Sequence, residues 1–282
     1  MCTQPLTIHK RNAATGQVDR RVVPCGRCHE CLITKQNETA VLSYIEAVKR
    51  GMLVFATLTY NNDSFPMRYR RLRSVGDSRE FEQIDLDFVQ SAVLPYKRKL
   101  YLDFAQEDFS KILCESVPNN VGSFDTLEFC PSLRRKDFRD YLKRQRIAFE
   151  RSGRKLPDFS YQAVGEYGEM HHRPHFHVLF YGLEVQIVQK LLEGWTKEFG
   201  YIDVKEVKRF ALNGPQDGFL AVSRYLGKYV TKGNDDCPTV LAGIAEKSRI
   251  LRSIGFGIPQ PKVLASLLSF SMLRILVSCE TV

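Results

Sequence analysis

Hydrophobic and polar positions along the chain fall into short, readable runs. Residues 53–60, rich in aromatic and β-branched side chains and closed by Asn61, Asn62 and Asp63, predict a strand ending in a turn. Residues 133–150 repeat Phe138, Tyr141, Leu142 and Phe149 on one helical face, with Ser132 as the expected N-cap. Residues 159–167 read as a strand, and a turn over 168–174 leads into a second strand at 175–181. Stripes of Ile187, Leu191 and Trp195, and of Val188, Leu192 and Phe199, predict a helix over 185–199. A strand over 201–207 and an amphipathic helix over 219–232 follow.

The order is β-α-β-β-α-β plus a further helix. It predicts an α+β fold with a ferredoxin-like, split βαβ antiparallel sheet. Helices are expected on one face of the sheet, leaving the other open to a ligand. Residues 61–131 show no clear period, are punctuated by Pro66, Pro95, Pro118 and Pro131, and read as an insertion after the first strand. The expected divisions are a turn-rich, cysteine-rich segment at 1–40, a core at 41–235 and a C-terminal extension at 236–282.

Composition narrows the class. The 282 residues are 44% hydrophobic and 26% charged, which suits a globular chain and excludes collagen, coiled coil and wholesale disorder. A net charge of +9 favours a polyanionic partner. That charge is concentrated: residues 134–155 hold ten Lys and Arg against Asp137, Asp140 and Glu150. The predicted helix there would pack one face on the core and present Arg135, Arg139, Lys143 and Arg146 to phosphates. The first residues lack a basic region followed by an apolar run, and the apolar stretch 263–277 is too short for a membrane span and carries Arg274. A cytoplasmic chain with reduced thiols and no membrane partner is expected.

Two side-chain sets suggest chemistry. Alternation on the strand at 175–181 puts Phe176, Val178 and Phe180 on one face and His175, His177, Leu179 and Tyr181 on the other. Glu166, on the preceding strand of the same hairpin, is a third donor for one ion. A Glu/His/His set suits magnesium, manganese or zinc. On the last predicted helix, Tyr225, Lys228, Tyr229 and Lys232 share a face. A phenol near pKa 10 is a weak nucleophile, and the adjacent lysines are placed to lower that value or to stabilise transition-state charge. Together the sets suggest tyrosine attack on a metal-polarised phosphodiester, with a phosphotyrosine bond formed and a 3′-hydroxyl released.

Four of the eight cysteines fall in the first 40 residues. Cys25, Cys28 and Cys31 are spaced as C-x-x-C-x-x-C, with Cys2 upstream and His29 inside the run. This spacing fits a structural zinc knuckle whose fourth ligand is Cys2 or His29. It also leaves open an iron–sulfur site, although Cys114, Cys130, Cys237 and Cys279 provide no matching follow-on, or no metal at all.

Phe55-Ala-Thr-Leu-Thr-Tyr60, Gly165-Glu-Tyr-Gly168, His172-Arg-Pro-His-Phe-His177 and Tyr225-x-x-Lys-Tyr-x-x-Lys232 together resemble the motif series of the HUH endonucleases that start rolling-circle replication. The resemblance is to the replication initiators of gokushoviruses and related small single-stranded DNA phages of the Microviridae in particular. Cys2 and the Cys25–Cys31 run also resemble that phage group. It covers roughly residues 1–235. It implies origin nicking of single-stranded viral DNA in the host bacterial cytoplasm, covalent attachment to the 5′ end and later rejoining. By position, His175, His177 and Glu166 would be the magnesium or manganese ligands. Tyr225 and Tyr229 would be the nucleophiles, with Lys228 and Lys232 as supporting cations, and His172 and Arg173 lie in the matched motif beside DNA. No Walker-type motif is present, so helicase and polymerase would come from the host.

Two other readings compete. A non-catalytic single-stranded nucleic-acid binding protein with an RRM-like sheet explains the charge and fold, but not the His pair, Glu166 or the Tyr/Lys face. A related HUH transposase would usually be shorter, with a single tyrosine.

Overall fold

The computed structural model describes residues 2–11, 15–74, 81–88, 109, 111–210, 217–232 and 237–257. The apolar stretch at 263–277 and Cys279 lie outside the described residues, as does the side chain of Lys232.

The central sheet is built from β3 (Leu53–Thr59), β8 (Ser160–Tyr167), β9 (Pro174–Tyr181), β10 (Ile202–Glu206) and β11 (Ile250–Arg252), in the order β10-β3-β9-β8-β11. Every neighbouring pair is antiparallel. Its first four members, with α2 (Arg135–Arg151) between β3 and β8 and α3 (Val185–Glu198) between β9 and β10, make the expected split βαβ unit. Phe176, Val178 and Phe180 of β9 pack with Phe138, Tyr141 and Leu142 of α2 and with Val188, Leu191, Leu192 and Trp195 of α3 in the larger core.

The second sheet face is not open. It is covered by α1 (His29–Arg50) and α4 (Gly218–Lys232), and there Leu53, Val164, Leu179 and Tyr181 pack with Tyr44, Ala47, Phe219 and Leu226. The expectation of a one-sided helix layer fails because α1 conceals itself: its buried positions include Thr39, Ser43 and Glu46, which carry no apolar stripe. These polar groups are paired. Ser43 Oγ lies 2.7 Å from the Tyr181 hydroxyl and 2.9 Å from Ser223 Oγ. The Glu46 carboxylate accepts from Ser160 (2.7 Å), Arg50 (3.0 Å) and the Gly257 amide (3.1 Å). Burial opposes that charge, but these donors hold the Glu46 carboxyl below its ordinary value.

α1 and α4 run antiparallel. Tyr44 donates to Asp217 at 2.8 Å, Ser43 meets Ser223, and a Cβ at Gly227 would come within 3.0 Å of the Gln36 carbonyl. The N-terminal end of α1 therefore lies beside the C-terminal end of α4.

The stretch 61–131 contributes a second antiparallel sheet, ordered β5-β4-β7-β6, from β4 (Met67–Ser74), β5 (Phe81–Phe88), β6 (Leu113–Pro118) and β7 (Phe124–Pro131). Met67 pairs with Pro131, and the Ser132 amide donates to the Pro66 carbonyl at 2.9 Å. Phe65, Met67, Phe129 and Cys130 join the larger core. Ser132 is not the helix cap. Arg134 holds that position, while the Ser132 hydroxyl accepts from the Glu246 amide at 2.8 Å and so ties this corner to the C-terminal segment.

Residues 237–257 carry α5 (Pro238–Leu241) and β11. They place Val240, Ile244 and Ala245 in the larger core. At the other end of the chain, β1 (Leu6–Arg11) and β2 (Val18–Val23) form a separate two-stranded ribbon, and α1 runs through position 40.

Candidate metal and nucleophile site

β-Sheet register brings the three expected ligands together. Glu166 lies opposite His175 in the β8–β9 pair, and His177 follows on the same face. Glu166 Oε2 is 2.9 Å from His177 Nε2 and 3.2 Å from His175 Nε2, and the two imidazole nitrogens are 3.2 Å apart. Donors around an octahedral ion at about 2.1 Å stand about 3.0 Å apart along each edge, so this triangle has the spacing of three ligands on one ion. The group can hold a metal.

Neighbours orient the rings. His175 Nδ1 is 3.0 Å from the Arg173 carbonyl and so must be the protonated nitrogen, leaving Nε2 as a lone pair in the triangle. His177 Nδ1 lies 3.3 Å from the Thr57 hydroxyl. Thr57 faces His177 directly across the β3–β9 pair. Burial pushes His177 below its ordinary pKa, against the pull of Glu166. Burial also opposes the Glu166 charge, but the hydrogen bonds and charges of His175 and His177 outweigh it and hold the carboxyl at about 2.

The tyrosines stand over this triangle. The Tyr229 ring is 4.6 Å from the His177 ring, and the Tyr225 ring is 6.1 Å from it. Phe55 completes the stack, 5.5 Å from His177 and 5.8 Å from Tyr225. The two phenols are hydrogen-bonded to one another, and Tyr225 is 41% exposed, so one hydroxyl of the pair is open to a substrate. The expectation of a lowered phenol pKa is reversed for Tyr229. Burial first, then the bond to Tyr225 and the charge of Glu166, push it up. Lys228 is exposed on the same helix.

The basic candidates lie elsewhere. α2 is on the other side of the central sheet from the tyrosines. Arg139 and Lys143 are exposed there. Arg135 bonds Glu246 at 3.2 Å, and Arg146 lies over the Phe159 ring at 4.4 Å. In the β8–β9 turn, the His172 amide bonds the Gly168 carbonyl at 2.8 Å. Arg173 donates to the Tyr60 carbonyl at 2.9 Å and to Asn62, and covers the Phe109 ring at 4.7 Å. These contacts make Arg173 a tie between the turn and the end of β3.

Cys2, Cys25, Cys28 and Cys31 form a second group that can hold a metal. The Cys2–Cys28 and Cys25–Cys31 sulfur pairs are 3.8 and 4.0 Å apart. Sulfurs around a tetrahedral ion at about 2.3 Å stand about 3.8 Å apart, so this group too has ligand spacing. The amides of Arg27 and Cys28 point at Cys25 Sγ from 3.4 and 3.3 Å, and these backbone donors lower the Cys25 thiol. Backbone donors from Cys31 and Thr3 bring Cys28 down to about 6. For Cys31 the Gly26 amide lowers the thiol, but burial and the other three sulfurs outweigh it and raise it to about 12. Four sulfurs this close cannot all ionise without a cation between them.

Residues that sequence reasoning missed are Thr57 and the Arg173 carbonyl. Alternation on β3 was the available signal for Thr57, since it shares a face with Phe55 and Thr59. Among the described residues, no helix is long and apolar enough to cross a membrane. Residues 123–234 match the family model of the replication-associated protein ORF2, a span holding α2, the β8–β9 hairpin and the tyrosine helix. No curated protein and no solved structure matches the chain.

Proposed function

We propose that the chain is a rolling-circle replication initiator of the HUH type, resembling those of the gokushoviruses, which nicks and rejoins single-stranded DNA by transesterification. The observation that carries this reading is the contact of Tyr225 and Tyr229 with His177, within a triangle of two imidazoles and one carboxylate. The match over residues 123–234 supports a replication-associated role.

In this reading a phenolic oxygen of Tyr225 or Tyr229 bonds to the phosphorus of a scissile diester. The bond from phosphorus to the 3′-oxygen breaks, the phenolic proton is given up, and the 3′-oxygen leaves as a hydroxyl. Attack by a 3′-hydroxyl on the tyrosine ester reverses the bonds and rejoins a strand. Glu166, His175 and His177 would hold magnesium or manganese, which when bound polarises the phosphate. Thr57 and the Arg173 carbonyl fix the imidazoles, and Lys228 and Lys232 would add positive charge on the helix that carries the phenols. Zinc is the ion that suits the four sulfurs. Arg139 and Lys143 would meet phosphates of longer DNA on the far side of the sheet. Helicase and polymerase would come from the host bacterial cytoplasm. An RRM-like binding role is less well supported, because α1 and α4 cover the sheet face on which bases would stack.

Incubation with labelled single-stranded oligonucleotides and manganese should give a denaturation-resistant protein–DNA adduct. Tyr225→Phe with Tyr229→Phe should abolish it, and EDTA or His175→Ala should reduce it at least about 100-fold. Adducts that survive the double tyrosine change would refute the nucleophile assignment.

A further inference from the structure

We propose that the β1–β2 ribbon is a duplex-DNA contact, presented by the four-cysteine centre beside the nicking site. The inference rests on the DNA-nicking reading above and adds a second, double-stranded substrate surface to it.

The ribbon stands away from the body: all its strand residues except Val23 are exposed. Both of its ends return to the same cluster, since Cys2 precedes β1 and Cys25 follows β2, and the Cys25 amide lies 3.3 Å from Cys2 Sγ. The other two sulfurs, Cys28 and Cys31, sit at the N-cap and in the first turn of α1. Four sulfurs thus fasten the ribbon to the start of α1. Gln36, where α1 crosses Gly227 of the tyrosine helix, is about 7.5 Å along the helix from Cys31 at 1.5 Å per residue. The ribbon base is therefore at the tyrosine end of the helix pair.

Charge argues for nucleic acid. Residues opposite one another share a face, so one face carries Thr7, Val22, His9, Arg20, Arg11 and Val18. No acidic side chain lies on it. Asp19 is on the other face, paired with Arg21 at 2.7 Å. Arg11 and Arg20 lie on a diagonal of that face, an arrangement that repels itself unless an anion sits between them.

Side-chain type argues for a duplex over a single strand. Single strands are held by stacking on aromatic rings, and β1 and β2 contain none. Their exposed side chains are basic or aliphatic, which suits phosphates and groove walls. A two-stranded ribbon fits a major groove about 12 Å wide, and six residues at about 3.4 Å each reach about 20 Å, enough to cross it.

The test uses the full chain with Arg11→Ala and Arg20→Ala combined, two exposed positions whose loss leaves the core untouched. Two probes are compared across a potassium chloride series: a mixed-sequence duplex of about two helical turns, and a short single-stranded oligonucleotide scored for adduct formation. Duplex affinity should fall about tenfold, and the slope of log affinity against log salt should flatten by about 2. Adduct formation on the short strand should be unchanged. Unaltered duplex affinity, or an equal loss on both probes, would overturn the proposal. If wild-type protein forms no adduct but the duplex effect remains, the nicking reading fails and the ribbon contact stands.

Discussion

Single side chains decide how the metal triangle is held. Thr57 offers its hydroxyl to the rear nitrogen of His177, and Val keeps its shape without that bond. Thr57→Val should weaken manganese binding about tenfold, read by calorimetry and by the manganese dependence of adduct formation. Unchanged titrations would remove Thr57 from the site. Asp137 behaves differently. Burial pushes its carboxyl up to about 6, against the opposing charge of Arg134 and the hydrogen bond from Tyr60 at 3.1 Å. An acid raised in the folded state adds stability below its unfolded value near 4 and loses it as pH climbs through about 6. The gap is worth about 3 kcal/mol at most, and the helix N-terminus returns up to about 1 of it to the charged form. Asp137→Asn should therefore stabilise the chain by about 1–2 kcal/mol near pH 7, with the gain vanishing near pH 4 in urea titrations. At this scale His175, His177 and Glu166 could be grouped from sequence, because a two-residue period and a short hairpin are local facts. Thr57 could not, because its partner lies 120 positions away and only strand register brings them together.

Among the elements, the α1–α4 crossing sets the distance between the tyrosines and the sheet. Gly227 lets the two backbones approach, and a side chain there would press on the Gln36 carbonyl. Gly227→Val should cost about 2 kcal/mol of stability by thermal denaturation. It should also lower adduct yield, since the displaced helix carries Tyr225 and Tyr229. A melting temperature equal to wild type would show that the crossing is loose. Strands β3, β8 and β9 and helices α2, α3 and α4 were legible because each buries one regular stripe. α1 was not: a helix that buries Thr39, Ser43 and Glu46 satisfies its interior with hydrogen bonds, and periodicity of apolar residues is blind to it. The ribbon was hidden for the opposite reason, since strands with both faces in water have no inside to mark.

On the scale of the whole molecule, the basic helix and the tyrosines are on opposite sides of one sheet. The concentration of charge in residues 134–155 was plain in the sequence, but its direction was not, because the side on which α2 packs follows from the handedness of the βαβ connection. Part of that charge is spent internally: Arg144 pairs with Glu198, Lys136 with Asp140 at 2.5 Å and Arg135 with Glu246. The strands between 61 and 131 were illegible because they are short and pair with each other rather than with the main sheet. Their attachment is nonetheless simple. The chain departs at Pro66 and comes back at Ser132, one hydrogen bond away. To the core, the stretch between those two residues is a detachable cassette: its length and contents can drift, or be exchanged for another lobe, while the strand before it and the helix after it keep their stations. Variation in size among chains built on this core should accumulate at that seam, where a newly acquired lobe would leave the chemistry undisturbed.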